Sequence, residues 1–166
     1  MTFRKTGMSA MAAAFGDDVS VVDVGIDGDV PPVGVLDRKV RRGTGDIARE
    51  DAMTRQQVLD AMAAGMEQAA RARADGVTAL GIGEMGIGNT TTSAAVLAAL
   101  TGADIEAVTG RGGGLTDEGF LRKKEVLRQA LALHRPDGSD VIGVLAGVGG
   151  LDLAAMTGAF LGCAHE

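Results

Sequence analysis

Tryptophan and tyrosine are absent from this 166-residue chain, and phenylalanine occurs only four times. With so few rings to stack bases and a formal net charge of −6, the composition argues against nucleic-acid binding. Cysteine is almost absent too. Cys163 stands alone, which excludes an internal disulfide and fits a reducing, cytoplasmic setting. No run of about twenty apolar residues occurs, so no membrane span is expected. Met1 to Lys5 are basic without a long apolar stretch behind them, so no secretory signal is expected either. No His/Cys/Asp cluster has metal-ligand spacing, and no metal site is expected. His134 and His165 fall near the ends of predicted helices, where a solvent-exposed or helix-dipole role is the simpler reading. The basic run Arg38-Lys39-Val40-Arg41-Arg42 reads as a solvated loop, the alternative being a phosphate-facing or subunit-facing patch. The eight methionines fall mostly at apolar helix positions and read as core filling.

Glycine, by contrast, is abundant: 26 residues, which implies many close backbone approaches. The most informative cluster follows the apolar run Val77-Thr78-Ala79-Leu80. It reads Gly81-Ile82-Gly83-Glu84-Met85-Gly86-Ile87-Gly88-Asn89-Thr90-Thr91-Thr92-Ser93 and leads into an Ala/Leu-rich helical pattern. A strand, a glycine loop and a helix N-terminus in that order present unpaired N–H groups and a positive dipole end to an anion. Glu84, a lone carboxylate in a neutral loop, suggests an acid/base group beside a phosphorylated small molecule. Two other readings stand beside this one. Gly81, Gly83 and Gly86 match the dinucleotide-binding G-x-G-x-x-G, but that unit wants a second strand ending in an acid. Asp104 and Glu106 are in range, yet 102–107 is too short and polar for a strand. The absence of a lysine after the glycines excludes a Walker-type loop. The third reading is a tight turn whose glycines serve packing alone.

Apolar patterning predicts strands at 19–26 and 77–82 and helices at 54–74, 89–100, 116–134, 140–147 and 151–162. The fold class is therefore α/β, a Rossmann-like three-layer core in which a parallel sheet is flanked by helices. No linker divides it, so 1–166 is read as one α/β core domain with 1–18 as a poorly defined leading segment. Asp27-Gly28-Asp29-Val30-Pro31-Pro32 is the strongest break and reads as the loop leaving the first strand. Residues 37–50 form a long excursion, and 135–139 a turn between helices. Asp23 closes the first strand, where it serves either a ligand hydroxyl or water, or a loop cap. Two strands are few for a parallel sheet, and no strand follows the final helix. The core thus reads as truncated, with exposed edges that favour self-association.

The wording of Gly83-Glu84-Met85-Gly86-Ile87-Gly88-Asn89-Thr90-Thr91 closely resembles the signature of the nicotinate-nucleotide–dimethylbenzimidazole phosphoribosyltransferases, which build the lower nucleotide loop of cobalamin. Further blocks resemble the same family in the same order: Val21-Val22-Asp23-Val24-Gly25; Gly43-Thr44-Gly45 with Ala52-Met53-Thr54; and Gly110-Arg111-Gly112-Gly113-Gly114-Leu115 followed by Lys123. Val148-Gly149-Gly150-Leu151 with Ala154-Ala155-Met156 completes the series. The similarity runs from about Val19 onward. It implies that the chain is the middle of a longer enzyme, whose usual general base lies in a later Gly-Glu-Gly segment that has no counterpart here.

The resemblance implies base exchange on nicotinate mononucleotide, with 5,6-dimethylbenzimidazole or another benzimidazole-type base as acceptor. Glu84 is then the catalytic candidate, either stabilising charge or acting as an auxiliary base. Gly86, Gly88, Gly112, Gly113 and Lys123 are candidates for phosphate and ribose contacts. Asn89 and Thr90 would cap their helix and add ligand hydrogen bonds, while Met85 would line the base pocket. Lys123, beside Lys124 on a charged helix, would otherwise be read as solvent-facing. Thr116 is expected to cap that helix, with Asp117 and Glu118 favouring its positive end. The scheme requires no metal or organic cofactor, and the family implies a cytoplasmic homodimer. A catalytically incomplete phosphate-binding fragment of the family, and a dinucleotide-binding oxidoreductase domain, are the alternatives.

Overall fold

A computed structural model describes residues 6–28 and 33–165. The basic N-terminus, Met1 to Lys5, and most of the break at Asp27 to Pro32 lie outside the described residues.

The helices begin where local chemistry starts them. Helix α1 (Gly7–Phe15) is opened by a reciprocal Thr6–Ser9 capping box and closed by Gly16 at φ 77°. It lies in the leading segment for which the sequence predicted no element. Helix α2 (Arg55–Ala74) has the same device: the Thr54 hydroxyl accepts from the Gln57 N–H, and the Gln57 side chain accepts from the Thr54 N–H. Helix α3 (Asn89–Thr101) ends at Gly102 in the left-handed region, and short α4 (Ile105–Val108) is capped by Asp104. Thr116 caps α5 (Asp117–His134), with Asp117 and Glu118 in its first turn as expected. Asp140 caps α6 (Val141–Val148), and α7 (Leu151–His165) follows directly.

The fold is α/β, with a small parallel sheet flanked by helices. Strand β1 (Val22–Asp23) pairs with β2 (Leu36–Asp37), Val22 opposite Leu36 and Asp23 opposite Asp37. The predicted strand over 19–26 is thus realised as two paired residues. Residues 77–82, also predicted as a strand, form none: they run mostly exposed, with no ladder partner among the described residues. A strand is defined by its neighbour, and apolar patterning cannot supply one.

The buried Asp23 carboxylate fastens the end of β1. One oxygen accepts the N–H groups of Gly25 (2.9 Å) and Ile26 (2.8 Å), and the other accepts from Lys39 Nζ at 2.7 Å. These contacts make Asp23 a cap of the loop after β1. The basic run is likewise anchored. Arg38 makes a two-pronged pair with Glu67, and Arg41 reaches the Ala52 carbonyl.

The core lies where α2, α6 and α7 meet, with α3 and α5 closing it. Met53, Val58, Leu127, Val144 and Val148 are at most 1 % exposed. Each such side chain contributes about 1.5–3 kcal/mol by leaving water. Helices α2 and α7 approach closely because glycines stand at their crossing. A Cβ on Gly65 would lie 1.9 Å from the Ala155 carbonyl oxygen, and one on Gly158 would lie 1.9 Å from that of Met62. His134 departs from the solvent-exposed expectation. Its ring is buried between the Ile47 carbonyl (2.8 Å) and the Asp51 carboxylate (3.0 Å), because the 37–50 excursion folds back over the end of α5.

Candidate active site

Helix α3 starts in an unusual way. Its N-cap residue is Gly88 at φ 85°, and among the described residues no side chain caps the N–H groups of the first turn. The expectation that Asn89 and Thr90 cap this helix is corrected. Both lie inside it, and their side chains turn to other partners. Asn89 Nδ2 donates to Glu84 Oε1, holding that carboxylate across the loop. Thr90 Oγ1 accepts from Lys123. The open helix start is therefore free for an external anion.

Lys123 is the pivot of the second part of the site. It sits on α5 but is only 6 % exposed, unlike a solvent-facing lysine. Its ammonium donates to Thr90 Oγ1 at 2.8 Å and to the Gly110 carbonyl at 2.9 Å. No acidic side chain pairs with it among the described residues, and burial alone pushes its pKa below the ordinary value. A buried cation with neutral partners and a third donor to spare suits an incoming anion. Its neighbour Lys124 is taken up by Glu106 and by the Phe120 ring at 4.3 Å.

The loop after Gly110 is shaped to meet this ammonium. Gly112 has φ 57°, and a Cβ there would fall 2.7 Å from Thr90 Oγ1. Glycine is therefore required twice, by conformation and by space. Arg111, to which the sequence assigned no individual role, fixes the loop's exit. It donates to the Leu115 carbonyl at 2.9 Å, pairs with Asp117 and lies over the Phe120 ring at 4.8 Å. Gly113 stands in open space.

The structure thus joins Thr90, Gly112 and Lys123 at one point. It gathers Glu84, Gly86 and Asn89 beside the same helix start. Met85 stands apart, 73 % exposed. Asp152, in the first turn of α7, is a residue that sequence reasoning passed over. Its Oδ2 lies 3.9 Å from the point a Gly86 Cβ would occupy. Its position directly after the block Val148-Gly149-Gly150-Leu151 was the available signal. An open groove lined by Asp37 to Val40, Asp60, Ala63, Ala64 and Glu67 contains no residue of either glycine loop.

A family described as phosphoribosyltransferase matches residues 1–166. The nicotinate-nucleotide–dimethylbenzimidazole phosphoribosyltransferase of Geobacter metallireducens is 49 % identical over 161 residues, covering 95 % of this chain and 45 % of the relative. That of Ruminiclostridium cellulolyticum is 46 % identical over 159 residues, covering 96 % and 45 %. The crystal structure of CobT from Thermus thermophilus superposes with a TM-score of 0.91 at 43 % identity, over 98 % of this chain and 50 % of that one. The chain spans about half the length of the curated relatives it matches.

Proposed function

Because this chain belongs to the phosphoribosyltransferase family, we propose that it transfers the phosphoribosyl group of nicotinate mononucleotide to 5,6-dimethylbenzimidazole. The products are α-ribazole 5′-phosphate and nicotinate, a step of cobalamin assembly. The observation that carries the reading is the buried, carboxylate-free ammonium of Lys123, held between Thr90 at the α3 N-terminus and the glycine loop at Gly110. Such a cation, next to unpaired helix N–H groups, is built to hold a 5′-phosphate.

In the reaction, a benzimidazole nitrogen forms a bond to C1′ as the C1′–N bond to nicotinate breaks. The bonding pair returns to the pyridine ring, and the configuration at C1′ inverts. Positive charge develops on the ribose meanwhile, and a carboxylate nearby lowers the barrier. Glu84, steadied by Asn89, takes that part or serves as auxiliary base. The acceptor's N–H proton passes to a general base. Gly86, Gly88, Gly112 and Gly113 allow the backbone to approach phosphate and ribose, and Met85 offers an apolar surface to the base. Clamping the phosphate fixes C1′ in place, so positioning supplies a large part of the acceleration. The same reading places the protein in the cytoplasm as a homodimer, supported by the family resemblance and the single cysteine.

The test is chromatographic. The pure chain is incubated with nicotinate mononucleotide and dimethylbenzimidazole, and nicotinate and the new ribotide are followed against enzyme concentration. Proportional product formation supports the reading. Folded protein that binds phosphate yet releases no nicotinate refutes it for this chain and leaves a phosphate-binding remnant. Micromolar NAD binding would instead favour the dinucleotide reading.

A further inference from the structure

One buried polar atom near the glycine loops has no explanation in the scheme above. Asp152 Oδ2 is shielded from solvent and receives no hydrogen bond among the described residues. The hydroxyl of Thr92, which borders the same side chain at Gly150, is already donated to the Asn89 carbonyl at 3.0 Å. A shielded carboxylate oxygen without a donor is costly, and proteins keep such groups where something else completes them.

The surroundings indicate what completes it. The point where a Gly86 Cβ would sit lies 3.6 Å from Asn89 Cβ, 3.8 Å from Glu84 Oε2 and 3.9 Å from Asp152 Oδ2. These are ordinary van der Waals separations, so the missing side chain leaves a gap the size of a carbon atom, bordered by two carboxylates. Both are acceptors, and neither Asp152 nor Glu84 forms an ion pair among the described residues. The matching ligand group is one that offers hydroxyl donors to these acceptors. Asn89, whose side chain borders this gap, is followed immediately by Thr90, which Lys123 holds. Hydroxyl donors at the gap and a phosphate at Lys123 describe one molecule, a sugar phosphate.

We propose that Asp152 is a specificity-determining residue that accepts hydrogen bonds from the vicinal diol of the bound sugar, while Lys123 and the α3 N-terminus hold its phosphate. The inference rests on the phosphate-binding reading of Lys123. It adds a second contact that distinguishes a ribosyl group from its deoxy counterpart. A site with a buried acceptor aimed at a hydroxyl discriminates against the analogue lacking it, because the acceptor is then left unpaired.

The experiment uses the 166-residue chain and three probes: inorganic phosphate, ribose 5-phosphate and 2-deoxyribose 5-phosphate, each titrated calorimetrically. The wild type is expected to prefer the ribose compound by about tenfold or more, the worth of a hydrogen bond to a charged group. Asp152→Ala is expected to abolish that preference and leave inorganic phosphate affinity unchanged. Gly86→Ala provides an independent check, since its Cβ meets nothing closer than 3.6 Å and should not disturb folding. It should fill the gap and weaken both sugar phosphates more than inorganic phosphate. An Asp152 that serves only the start of α7 would lower thermal stability and weaken all three ligands in parallel. That result, or a ribose preference surviving Asp152→Ala, overturns the proposal. If the wild type fails to bind inorganic phosphate, the reading of Lys123 fails and this inference falls with it. Phosphate binding that is intact but blind to the 2-hydroxyl refutes the role of Asp152 alone.

Discussion

Replacing Lys123 by methionine removes a charge while nearly preserving shape, so it isolates what the ammonium does. The group uses two of its three donors on neutral oxygens at 2.8 and 2.9 Å, leaving one for a ligand. Two unit charges 4 Å apart interact by about 4 kcal/mol at an effective dielectric of about 20. Part of that offsets the ligand's own desolvation, and a charge-assisted hydrogen bond retains about 1.5–3 kcal/mol. Lys123→Met should therefore raise the Kd for inorganic phosphate or ribose 5-phosphate by about 10- to 150-fold. Folding should suffer little. The Gly110 carbonyl and Thr90 hydroxyl lose a donor, but a buried cation without a counter-charge is removed at the same time. Calorimetric titration beside a thermal melt separates the two effects. The pH dependence supplies a second reading. Burial holds the Lys123 pKa below its ordinary 10.5, so phosphate binding should weaken as pH rises through that lowered value. Over the interval between the lowered value and 10.5, the unfolded chain binds more protons than the folded one. The ligand-free protein should therefore gain stability as pH rises through that window. Unchanged phosphate affinity in a folded Lys123→Met variant would refute the assignment of this site.

Gly112→Ala forces an L-residue to φ 57° and drives a methyl toward the Thr90 hydroxyl. A loss of about 1–2 kcal/mol in denaturant unfolding, with weaker phosphate binding, is expected. Gly158→Ala sets a methyl 1.9 Å from the Met62 carbonyl oxygen, so α2 and α7 must separate. It should cost about 3 kcal/mol or more, read as a large drop in melting temperature, and a mild effect would mean that the crossing is looser than it looks. Burial pushes the Asp23 pKa up, but the Lys39 ammonium and the Ile26 and Gly25 amides outweigh it and hold it below 3.8. Its stabilising contribution is present above 3.8 and is lost as pH falls through the lowered value, so Asp23→Asn should flatten the acid limb of the unfolding profile. Glu84→Gln should keep phosphate affinity while lowering any turnover, and an unchanged rate would remove Glu84 from the chemistry.

The helices were legible because their signals are local. Thr54 and Thr116, the latter with Asp117 and Glu118, mark their own N-termini. The apolar spacing of Val58, Leu59, Met62, Met66 and Ala70, by contrast, locates the inner face of α2 only roughly: Val58 is buried and Met62 half-buried, but Leu59, Met66 and Ala70 are exposed. The sheet was legible only in kind. Residues 77–82 carry the composition of a strand, yet pairing depends on a neighbour that no local pattern encodes. The order of strand-like run, glycines and helix pointed to an open helix start, and α3 does begin at Gly88 without a side-chain cap among the described residues. What Asn89 and Thr90 do there was misread, because Asn and Thr at a helix start ordinarily cap it. Here Gly88 takes the cap in a left-handed conformation and frees both side chains for Glu84 and Lys123. The burial of Lys123 and of the Asp152 oxygen depends on the packing of α5 and α7 on the rest of the chain. Neither is visible in a run of neighbouring residues.

The same contrast explains why the site is assembled from two glycine loops and not one. A single loop before α3 offers amides and a dipole, enough to attract an anion but not to fix its orientation. Lys123 lies 33 residues beyond Thr90, and the hydrogen bond between them ties α5 to the start of α3. Gly112, by lacking a Cβ, is what permits that tie. Changes at Thr90, Gly112 and Lys123 should therefore be strongly non-additive, since each acts through the same contact. The cycle pairing Thr90→Val with Lys123→Met, read as phosphate affinity, measures this directly. A coupling of about 1 kcal/mol or more is expected for groups joined by a charge-assisted hydrogen bond. Strict additivity would mean that the two residues touch the ligand independently, and that the junction between the loops is structural only.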